Sequence, residues 1–570
     1  MCGIWALFGN DSGDISKQYR SASKISHRGP DTFRIENVNH FGNCCLAFHR
    51  LAIVDDLYGM QPMRIKTYPY VWLLYNGEIY NYRKVQKQYD FNYLTECDGE
   101  SIIHLYMKGG IEFAASMLDG VFAFCLLDTM AKKVYLGRDT FGVRPMFKLT
   151  SDDGFMAVCS EAKDFIGLVD LQQQKKSEIQ PFPPGFVETY DLRTDGKVDL
   201  IESAKFHSIG KPPKWMEVPG ASAVVGEDIY QNIREILTEA VRKRLMSDRR
   251  IGCLLSGGLD SSVVAALVCK LCKESGIDYP IQTFATGMEG SPDVTAARKV
   301  AAHIGSEHHE VTFTPEEGLQ AVEEVIYHLE SYDITTLRAS VGMYLVSRYI
   351  NKETDSVVIF SGEGADELAQ GYIYFHKAPT PEAGDEESQR LMKDLYMYDV
   401  LRADRTTAAH GLELRVPFLD HQFTSYYASL DPSLKQPKDK SEKFLIRKAF
   451  DNGLLPSEIL WRPKEAFSDG VSSSKKSWFA ILQDHIESQV RLGTVSDSQL
   501  EDAPNVFPFN PPTSKEGYYY RQIFEKHFHG NAHWIPYIWM PKWLPDCKDP
   551  SARCLEHYQE SEVEGKEQNG

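Results

Sequence analysis

A chain of 570 residues is long enough for two or three domains, each with its own hydrophobic core. Its formal net charge of −18 at pH 7 argues against a nucleic-acid partner, because such proteins concentrate Lys and Arg against phosphates. No apolar run approaches the roughly 18–20 residues that span a bilayer, and the first residues lack the pattern of a signal peptide. We therefore expect a cytosolic protein that acts away from membranes.

Short strands separated by Gly, Pro and Asp characterise residues 1–190. Their β-branched and aromatic residues partly alternate with polar ones and predict four strands, at 46–54, 70–75, 121–128 and 133–138. This pattern of short strands favours an α+β, sandwich-like domain of antiparallel sheets. Between Gln180 and Gly220, repeated Pro-Pro pairs predict a segment that wraps over the domain and then becomes a linker.

Long helices alternate with apolar strands from Asp228 onward, which predicts a parallel, doubly wound α/β sheet with added helices. Ligands of such a sheet bind beyond the carboxyl ends of its strands. The predicted elements include strands at 251–255, 281–286 and 357–360, a helix at 261–273, and an acidic exposed loop at 380–390. These textures divide the chain into a first domain at 1–205, a second at 206–550 and an acidic, flexible tail at 551–570.

Cys2 stands directly after the initiator Met1, and its small side chain permits removal of that methionine. Removal would place a thiol and a free α-amine on one residue, and such an amine has an unperturbed pKa of about 7.7–8.0. The amine can then act as the general base for its own thiol. Cys2 is therefore the candidate nucleophile, although a single cysteine is more often a buried core residue.

Three further groups supply what an N-terminal thiol needs to hydrolyse the side-chain amide of glutamine. Asn76 and Gly77 offer a side-chain NH₂ and a backbone N–H that can form an oxyanion hole. Arg50 offers a planar fork for a carboxylate, and Asp98 offers the charge that holds an ammonium group. Each group has a plainer interpretation, because Asn-Gly is a frequent hairpin turn and Arg50 or Asp98 alone is more often part of a surface ion pair.

Five segments of the first half occur together and in the order found in a known family. They are Cys2-Gly3-Ile4, His27-Arg28-Gly29-Pro30-Asp31, His49-Arg50-Leu51, Tyr75-Asn76-Gly77-Glu78-Ile79-Tyr80-Asn81 and Arg138-Asp139. Here the chain resembles the class II glutamine amidotransferases of the N-terminal-nucleophile (Ntn) type. The resemblance implies an Ntn-hydrolase sandwich in which Cys2 is the nucleophile and Asn76 and Gly77 bind the oxyanion. It implies that the residues binding glutamine are Arg50, Leu51, Ala52, Ile53, Val54, Asn76, Gly77, Glu78 and Asp98.

A glycine-rich segment follows the strand predicted at 251–255 and opens the next helix. Its sequence is Ser256-Gly257-Gly258-Leu259-Asp260-Ser261-Ser262. The glycines let backbone N–H groups approach phosphate oxygens, and the helix N-terminus adds positive potential. The S-G-G-x-D-S spacing resembles the pyrophosphate loop of enzymes that split ATP into AMP and pyrophosphate. The alternative is a Gly-Gly turn with a structural role alone.

A second loop, at 361–367, ends the strand predicted at 357–360, and parallel-sheet geometry would place it beside the first. Asp260 and Asp366 then become hard-oxygen ligands for the Mg²⁺ that an ATP site requires. Lys464 adds a point charge suited to pyrophosphate. Residues 284–288, at the end of the next strand, could supply backbone contacts to adenine. The expected ATP-binding residues are Leu255, Ser256, Gly257, Gly258, Asp260, Ser261, Thr286, Met288, Ser361 and Gly362.

Joined in this order, the two halves resemble the glutamine-hydrolysing asparagine synthetase family over nearly the whole chain, with detail closest to its animal members. Residues 330–340, 399–405 and 413–420 carry further parts of that resemblance. It implies that Glu363 acts at the β-aspartyl-adenylate step with Lys464 also in the catalytic set, and that Thr335 and Arg338 lie near the aspartate site. The chain departs from the pattern at Ala365, where many relatives are expected to carry Ser.

The reaction implied by this resemblance uses two sites. Cys2 would hydrolyse glutamine through a thioester, and the second domain would use Mg-ATP to convert aspartate into β-aspartyl-AMP, which ammonia turns into asparagine. Free ammonia is mostly ammonium at pH 7, so a dry passage between the domains is a hypothesis that this chemistry invites. Three other functions stay open: a β-lactam-forming relative, a thiolating or tRNA-modifying pyrophosphate-loop enzyme, and a regulator that binds without turnover. The expected partners are glutamine, aspartate and ATP, and a homodimer is left open.

Overall fold

Two layered domains succeed one another along the chain, an antiparallel one first and a parallel one second. The computed structural model describes residues 1–9, 15–38, 41, 43–169, 177–217, 228–439, 441–464, 470–473, 476–491, 495–544, 547 and 549–550. The tail predicted at 551–570 lies outside the described residues. Among those described, no helix combines the length and the apolar content that crossing a membrane would require.

Antiparallel pairing builds the first domain. Its described strands are β1 (Gly3–Phe8), β2 (Thr32–Asn37), β3 (Cys45–Arg50), β4 (Val71–Ile79), β5 (Gly120–Asp128), β6 (Lys133–Arg138), β7 (Phe147–Ser151), β8 (Met156–Cys159), β9 (Ser177–Pro181), β10 (Phe186–Leu192) and β11 (Val198–Lys205). One sheet has the order β2-β3-β1-β8-β7-β9 and the other β11-β10-β6-β5-β4. Apolar side chains of both sheets, such as Phe48 and Leu74, share one core between the layers. The predicted sandwich of antiparallel sheets is confirmed.

Helices cover the outer face of the five-stranded sheet. Ile102 and Ile103 from one of these helices share a buried cluster with Leu73 of β4 and Phe122 and Leu126 of β5. The sheet is thereby apolar on both faces, which explains its nearly continuous hydrophobic strands. The α-helices described in this domain are Ile15–Ala22, Tyr82–Tyr89, Glu100–Gly109, Ile111–Met117 and Ile166–Val169.

The strand predicted at 46–54 is shorter in the structure and ends at Arg50. The Arg50 guanidinium donates hydrogen bonds to the backbone carbonyl oxygens of Asp55 and Asp56. These bonds fold the chain back on itself, so residues 51–54 form a loop instead of continuing the ladder. The loop then becomes available to line a site.

The strand predicted at 70–75 is longer in the structure and continues to the end of β4. Asn76 and Gly77 pair with β5, so they lie inside a strand and not in a turn after it. The wrap-over segment predicted from residue 180 is wrong in part, because β10 and β11 form an antiparallel pair there. The proline pairs that flank these strands obscured their β-branched and aromatic residues.

The second domain is built on a parallel sheet. Its described strands are β12 (Arg250–Leu254), β13 (Gln282–Gly287), β14 (Glu307–Thr312), β15 (Ser356–Phe360) and β16 (Glu413–Arg415). Their order is β14-β13-β12-β15-β16, and each neighbouring pair is parallel. The chain moves outward from β12 to β14 and then returns to the other side of β12 with β15. This reversal places the loops after β12 and β15 side by side, where ligands of such sheets bind.

Helices pack on both faces of the parallel sheet, as the doubly wound prediction requires. Ile251 and Cys253 of β12 share a core with helices Ile229–Lys243 and Leu259–Glu274, whereas helix Ile334–Glu353 packs on the opposite face. The further α-helices described here are Pro292–Ile304, Pro315–Leu329, Ala365–Leu368, Pro381–Asp394, Asp399–Ala408, His421–Ser429, Pro432–Lys435, Phe444–Ala449, Ser457–Leu460, Trp478–Arg491, Asp497–Glu501, Ala503–Val506 and Lys515–Phe528.

The exposed loop predicted at 380–390 is wrong, because Pro381–Asp394 is a helix. Thr380 caps its first turn through its side chain, and a proline occupies the first helical position. Glu387 is buried on this helix, where Arg390 donates to its carboxylate. The acidic composition masked a Thr-Pro start signal that predicts helices elsewhere in the chain.

Buried ion pairs join the two domains. Arg28 of the first domain contacts Glu161 at 2.7 Å and Asp404 of the second domain at 2.9 Å. Arg405 reaches back to Glu161 at 3.0 Å and also pairs with Glu330 at 2.9 Å. Removing one member of a buried pair leaves an uncompensated charge, so these contacts favour one relative arrangement of the domains. The predicted boundary between residues 205 and 206 stays a prediction.

Two candidate active sites

The Cys2 side chain lies just before β1, next to the loop at residues 51–54. Pairing of Gly3 with His49 brings it beside Leu51, whose backbone N–H faces the sulfur with an N···S distance of 3.4 Å. Burial raises the pKa of the Cys2 thiol, while the nearby terminal ammonium group lowers it. The thiol therefore needs a base, and the α-amine created by removal of Met1 would supply one.

The Asn76 side chain faces the same site and is fully buried. Among the described residues, neither its Nδ2 nor its Oδ1 atom has a hydrogen-bond partner. Gly77 follows with a φ of +151°, and a Cβ atom there would lie 2.0 Å from the Val121 carbonyl oxygen. No larger residue fits at Gly77 without moving β5. The strand thus presents an unpartnered amide and the Gly77 backbone to the cavity that Cys2 also lines, a placement that suits an oxyanion hole.

A small cavity of about 20 Å³ joins these groups. Asp98 is buried at its edge, where the Tyr75 hydroxyl and the Ile79 N–H each donate to its carboxylate at 2.6 Å. Burial raises the pKa of Asp98 to about 6 against the effect of these hydrogen bonds. Of the predicted glutamine-site residues, those that line the cavity are Cys2, Arg50, Leu51, Ile53, Val54, Asn76, Gly77, Glu78 and Asp98.

Two features of this site differ from the sequence prediction. Ala52 is buried but does not line the cavity, because its N–H donates to Asp31 at 2.8 Å on the other side of the loop. Glu413 lines the cavity although it belongs to β16 of the second domain. The segment around Glu413 carries part of the family resemblance, but no local pattern predicts a role for Glu413 in this site, since only the fold brings β16 to Cys2.

The second site is a cavity of about 260 Å³ at the carboxyl ends of β12 and β15. The glycine-rich loop precedes the N-terminus of helix Leu259–Glu274, and Ser256 Oγ lies 3.0 Å from Ser261 Oγ within it. A Cβ atom at Gly362 would lie 2.8 Å from the Asp260 side chain, so the two loops are in direct contact. The predicted residues that line the cavity are Leu255, Ser256, Gly258, Asp260, Ser261, Thr286, Thr335, Ser361, Gly362, Glu363, Asp366 and Lys464.

Three predicted residues do not line this cavity. Gly257 turns away with a φ of +76° and packs on Ala296 and Ala297. Met288 is buried, and its N–H donates to the Val471 carbonyl oxygen at 2.8 Å. Arg338 is engaged in ion pairs with Glu516 and Asp549.

The predicted aspartate-site pair separates in the structure. Arg338 donates to Glu516 at 2.6 Å and to Asp549 at 2.7 Å, so its guanidinium is engaged outside the cavity. Thr335 does face the cavity, and its buried Oγ1 has no hydrogen-bond partner among the described residues. The two lie three residues apart on one helix, but these ion pairs hold the Arg338 side chain away from the site.

Opposite charges meet between the two loops. Lys443 contacts Asp260 and lies 2.6 Å from Asp366, and Lys464 lies 2.7 Å from Asp366. Although burial works in the opposite direction, these two ammonium groups lower the pKa of Asp366. Asp260 Oδ1 is buried without a hydrogen-bond partner among the described residues. Two carboxylates with an oxygen to spare fit a hard cation such as Mg²⁺.

Glu363 stands at the same edge and is held by Arg402. The Arg402 guanidinium lies 2.9 Å from Glu363 and 2.6 Å from Asp399. Burial, against the effect of Arg402, raises the pKa of Glu363 to about 7. A carboxyl group with such a pKa can both accept and release a proton at neutral pH.

Comparison with known proteins agrees with this two-site layout. Residues 1–182 match the family model of a glutamine amidotransferase domain, and residues 232–385 and 379–546 match that of asparagine synthase. A glutamine-hydrolyzing asparagine synthetase of Gallus gallus is 63% identical over 569 residues, which cover 98% of this chain and 99% of that protein. Those of Bos taurus and Homo sapiens are 61% and 60% identical over 565 residues, with the same coverage of 98% and 99%. The chain belongs to the glutamine-hydrolysing asparagine synthetase family.

Membership of the asparagine synthetase family confirms the resemblance that the motifs predict. The high identity to animal enzymes confirms the predicted similarity to animal members. Family membership also accounts for two unlike architectures in one chain, since the amidotransferase match holds most of the antiparallel strands and the asparagine synthase matches hold the whole parallel sheet. The roles of single residues stay predictions, because similarity over a whole chain tests no individual side chain.

Proposed function

We propose that this chain makes asparagine from aspartate, using ATP and ammonia that it releases from glutamine. The observation that carries the proposal is the pairing of Cys2 with the buried, unpartnered Asn76 amide, in a chain whose second cavity joins two phosphate-type loops. A thiol beside an oxyanion hole supports amide hydrolysis. Paired acids and lysines beside a glycine-rich loop support nucleotide cleavage.

The glutaminase half begins with the Cys2 α-amine, which takes the thiol proton. The sulfur then attacks the glutamine amide carbon, and the Asn76 amide and the Gly77 N–H stabilise the oxyanion. The ammonium group returns its proton to the leaving nitrogen, so ammonia departs and a thioester remains. Water hydrolyses the thioester and releases glutamate. Arg50 and Asp98 would hold the carboxylate and the ammonium group of the substrate.

The synthetase half begins when a side-chain oxygen of aspartate attacks the α-phosphorus of ATP and pyrophosphate leaves. Asp260 and Asp366 would hold Mg²⁺, which offsets phosphate charge when bound. Lys443 and Lys464 are placed to neutralise the departing pyrophosphate. Ammonia then attacks the aspartyl carbonyl carbon, AMP departs with the C–O electron pair, and Glu363 can accept the proton that nitrogen loses.

The domain interface supports direct transfer of ammonia between the two sites. Its ion pairs around Arg28 and Arg405 are almost fully buried, so a molecule that crosses between the domains would be shielded from bulk water. Ammonia that stays away from water stays unprotonated and nucleophilic. We also propose that the protein acts in the cytosol and forms a homodimer.

Pyrophosphate release tests the function against its rivals. Glutamine and ATP should yield pyrophosphate only when aspartate is added, with asparagine and AMP formed in equal amounts. A β-lactam-forming relative would not need aspartate, a tRNA-modifying enzyme would need tRNA, and a silent regulator would release no pyrophosphate. Cys2→Ala should abolish glutamine-dependent synthesis and leave synthesis from added ammonium. Pyrophosphate release that ignores aspartate would contradict the proposal.

A further inference from the structure

Strand β16 belongs to the second domain but borders both sites. Its end is paired with β15, and the Arg415 carbonyl oxygen accepts a hydrogen bond from the Ser361 N–H at 2.9 Å. Its first residue, Glu413, is 2% exposed and lines the cavity that contains Cys2. A carboxylate of one domain therefore completes the wall of a site in the other.

The charged groups around Glu413 come from several elements. Arg415 lies 2.9 Å from one of its carboxylate oxygens, and Arg144 of the first domain lies 4.0 Å from the other. Glu78 of β4 faces it, and burial together with Glu413 raises the pKa of Glu78 well above its usual value. Asp98 lines the same cavity, and burial and Glu413 also raise its pKa.

The terminal amine completes this set. The ammonium group in the structure is that of Met1, which donates to the Leu412 carbonyl oxygen at 3.4 Å, next to Glu413 in β16. Burial lowers the pKa of this group to about 6, and Glu413 is the strongest of the groups that oppose this effect. Arg144 and Arg28 both act against the ammonium charge. The pKa of Glu78 is raised by burial whereas that of Glu413 is lowered by Arg415 and Arg144 against the effect of burial, so Glu413 is the carboxylate of this pair that favours a buried ammonium group at the start of the chain.

We propose that Glu413 is a positioning residue of the glutaminase: it holds the α-ammonium group of processed Cys2 from across the domain boundary. The inference rests on the proposed function, in which that amine takes the thiol proton. The ammonium formed in this step carries a charge inside a buried site, and the Glu413 carboxylate compensates it. Glutamine hydrolysis then depends on contact with the second domain even before ammonia is transferred.

Glu413→Gln in the full chain tests this inference through the pH dependence of glutamate release. The free amine is the active form, so the rate rises with pH through the pKa of the amine. Loss of the anion should lower that pKa and move the acidic limb by about one pH unit toward lower pH. The limiting rate should fall as well, because a weaker base removes the proton less well. Glu413→Asp keeps the charge and should keep the limb within a few tenths of a pH unit of wild type.

The outcomes separate this inference from the proposed function. A Glu413→Gln limb that superimposes on the wild-type limb overturns the inference, while loss of glutamate release in Cys2→Ala would still support the function. Glutamate release by the Cys2→Ala variant would contradict both the inference and the proposed function. Synthesis from added ammonium reports whether the variant is folded. If Arg415 without its partner prevents folding, Glu413→Gln with Arg415→Gln removes both charges, and an unshifted limb in that variant also overturns the inference.

Discussion

Two buried asparagines near the end of β4 use their side-chain amides differently. The Asn81 amide donates to the Met117 carbonyl oxygen at 2.9 Å and accepts from the Asp119 N–H at 3.0 Å. The Asn76 amide has no such partner among the described residues. An unpaired buried amide costs stability, and its presence is explained if a substrate provides the partner.

We expect Asn76→Ala to lower kcat for glutamate release by about 10²–10³-fold, the usual effect of removing one oxyanion-hole donor. Its thermal midpoint should stay near that of wild type, because the substitution breaks no hydrogen bond. Asn81→Ala is the matched control and should lose about 1–3 kcal/mol of stability while the folded enzyme keeps its kcat. Thermal unfolding and glutamate assays of both variants check this, and equal losses of kcat would contradict the assignment.

The site residues that sequence could predict are those that lie in local patterns. Asn76-Gly77 and the Cys2 terminus carry their chemistry within two or three positions, so they can be recognised before folding. Glu413 and Lys443 carry no such pattern, because each is a single charge whose partners lie far away in the chain. Only the pairing of β16 and the packing of the two phosphate-type loops bring them into the sites.

At the scale of elements, the loops after β12 and β15 form one charged unit. Lys443, at the start of helix Phe444–Ala449, is buried and bridges Asp260 and Asp366. Lys464 also pairs with Asp366, so two ammonium groups balance the two carboxylates. Lys443 therefore either stays as a counter-charge for phosphate or leaves both carboxylates to the metal.

We expect Lys443→Met to lower aspartate-dependent pyrophosphate release by about 10–10³-fold, because a charge that faces the phosphates is lost. Glutamate release at Cys2 should persist, since that site lies in the other domain. Lys448→Met, on the exposed side of the same helix, is the matched control and should change neither activity. Pyrophosphate and glutamate assays on both variants decide the matter. A Lys443 variant with normal pyrophosphate release would show that the bridge is structural only.

The predicted elements succeed or fail for physical reasons. Long helices that alternate with apolar strands bury their apolar surfaces in a parallel sheet covered by helices on both faces, so the second domain is predictable in outline. At 380–390 the acidic composition predicted an exposed loop, which is wrong because the segment is helical and Glu387 is buried against Arg390. The end of β3 at Arg50 was unpredictable, since it depends on hydrogen bonds from that side chain to the following loop.

At the scale of the whole molecule, half-buried histidines lie where the domains meet. The rings of His27, from the first domain, and His328, from the second, are 4.8 Å apart. Burial lowers the pKa of His328 to about 2 and that of His410 to about 4. These side chains are therefore neutral over the physiological range, and acid must charge them inside the fold.

The sign of the resulting pH effect follows from proton binding. Unfolded histidines take up protons below about pH 6.5, whereas folded His410 does so only near pH 4, so stability falls as pH falls between these values. The contribution of one histidine is about 2 kcal/mol between pH 6.5 and 5. We expect His410→Asn to show a smaller drop in thermal midpoint over that interval than wild type. His529→Asn, at an exposed position, should follow wild type, and identical drops in all three proteins would rule out the effect.

The most direct test of the account is the fate of the glutamine amide nitrogen. Glutamine with an isotope-labelled amide is supplied with aspartate, ATP and a large excess of unlabelled ammonium, and the label in asparagine is measured by mass spectrometry in the first turnovers. If Cys2 releases ammonia directly toward the second cavity, asparagine carries far more label than the ammonium in solution. Asparagine with the same label content as the surrounding ammonium would contradict the coupling of the two sites.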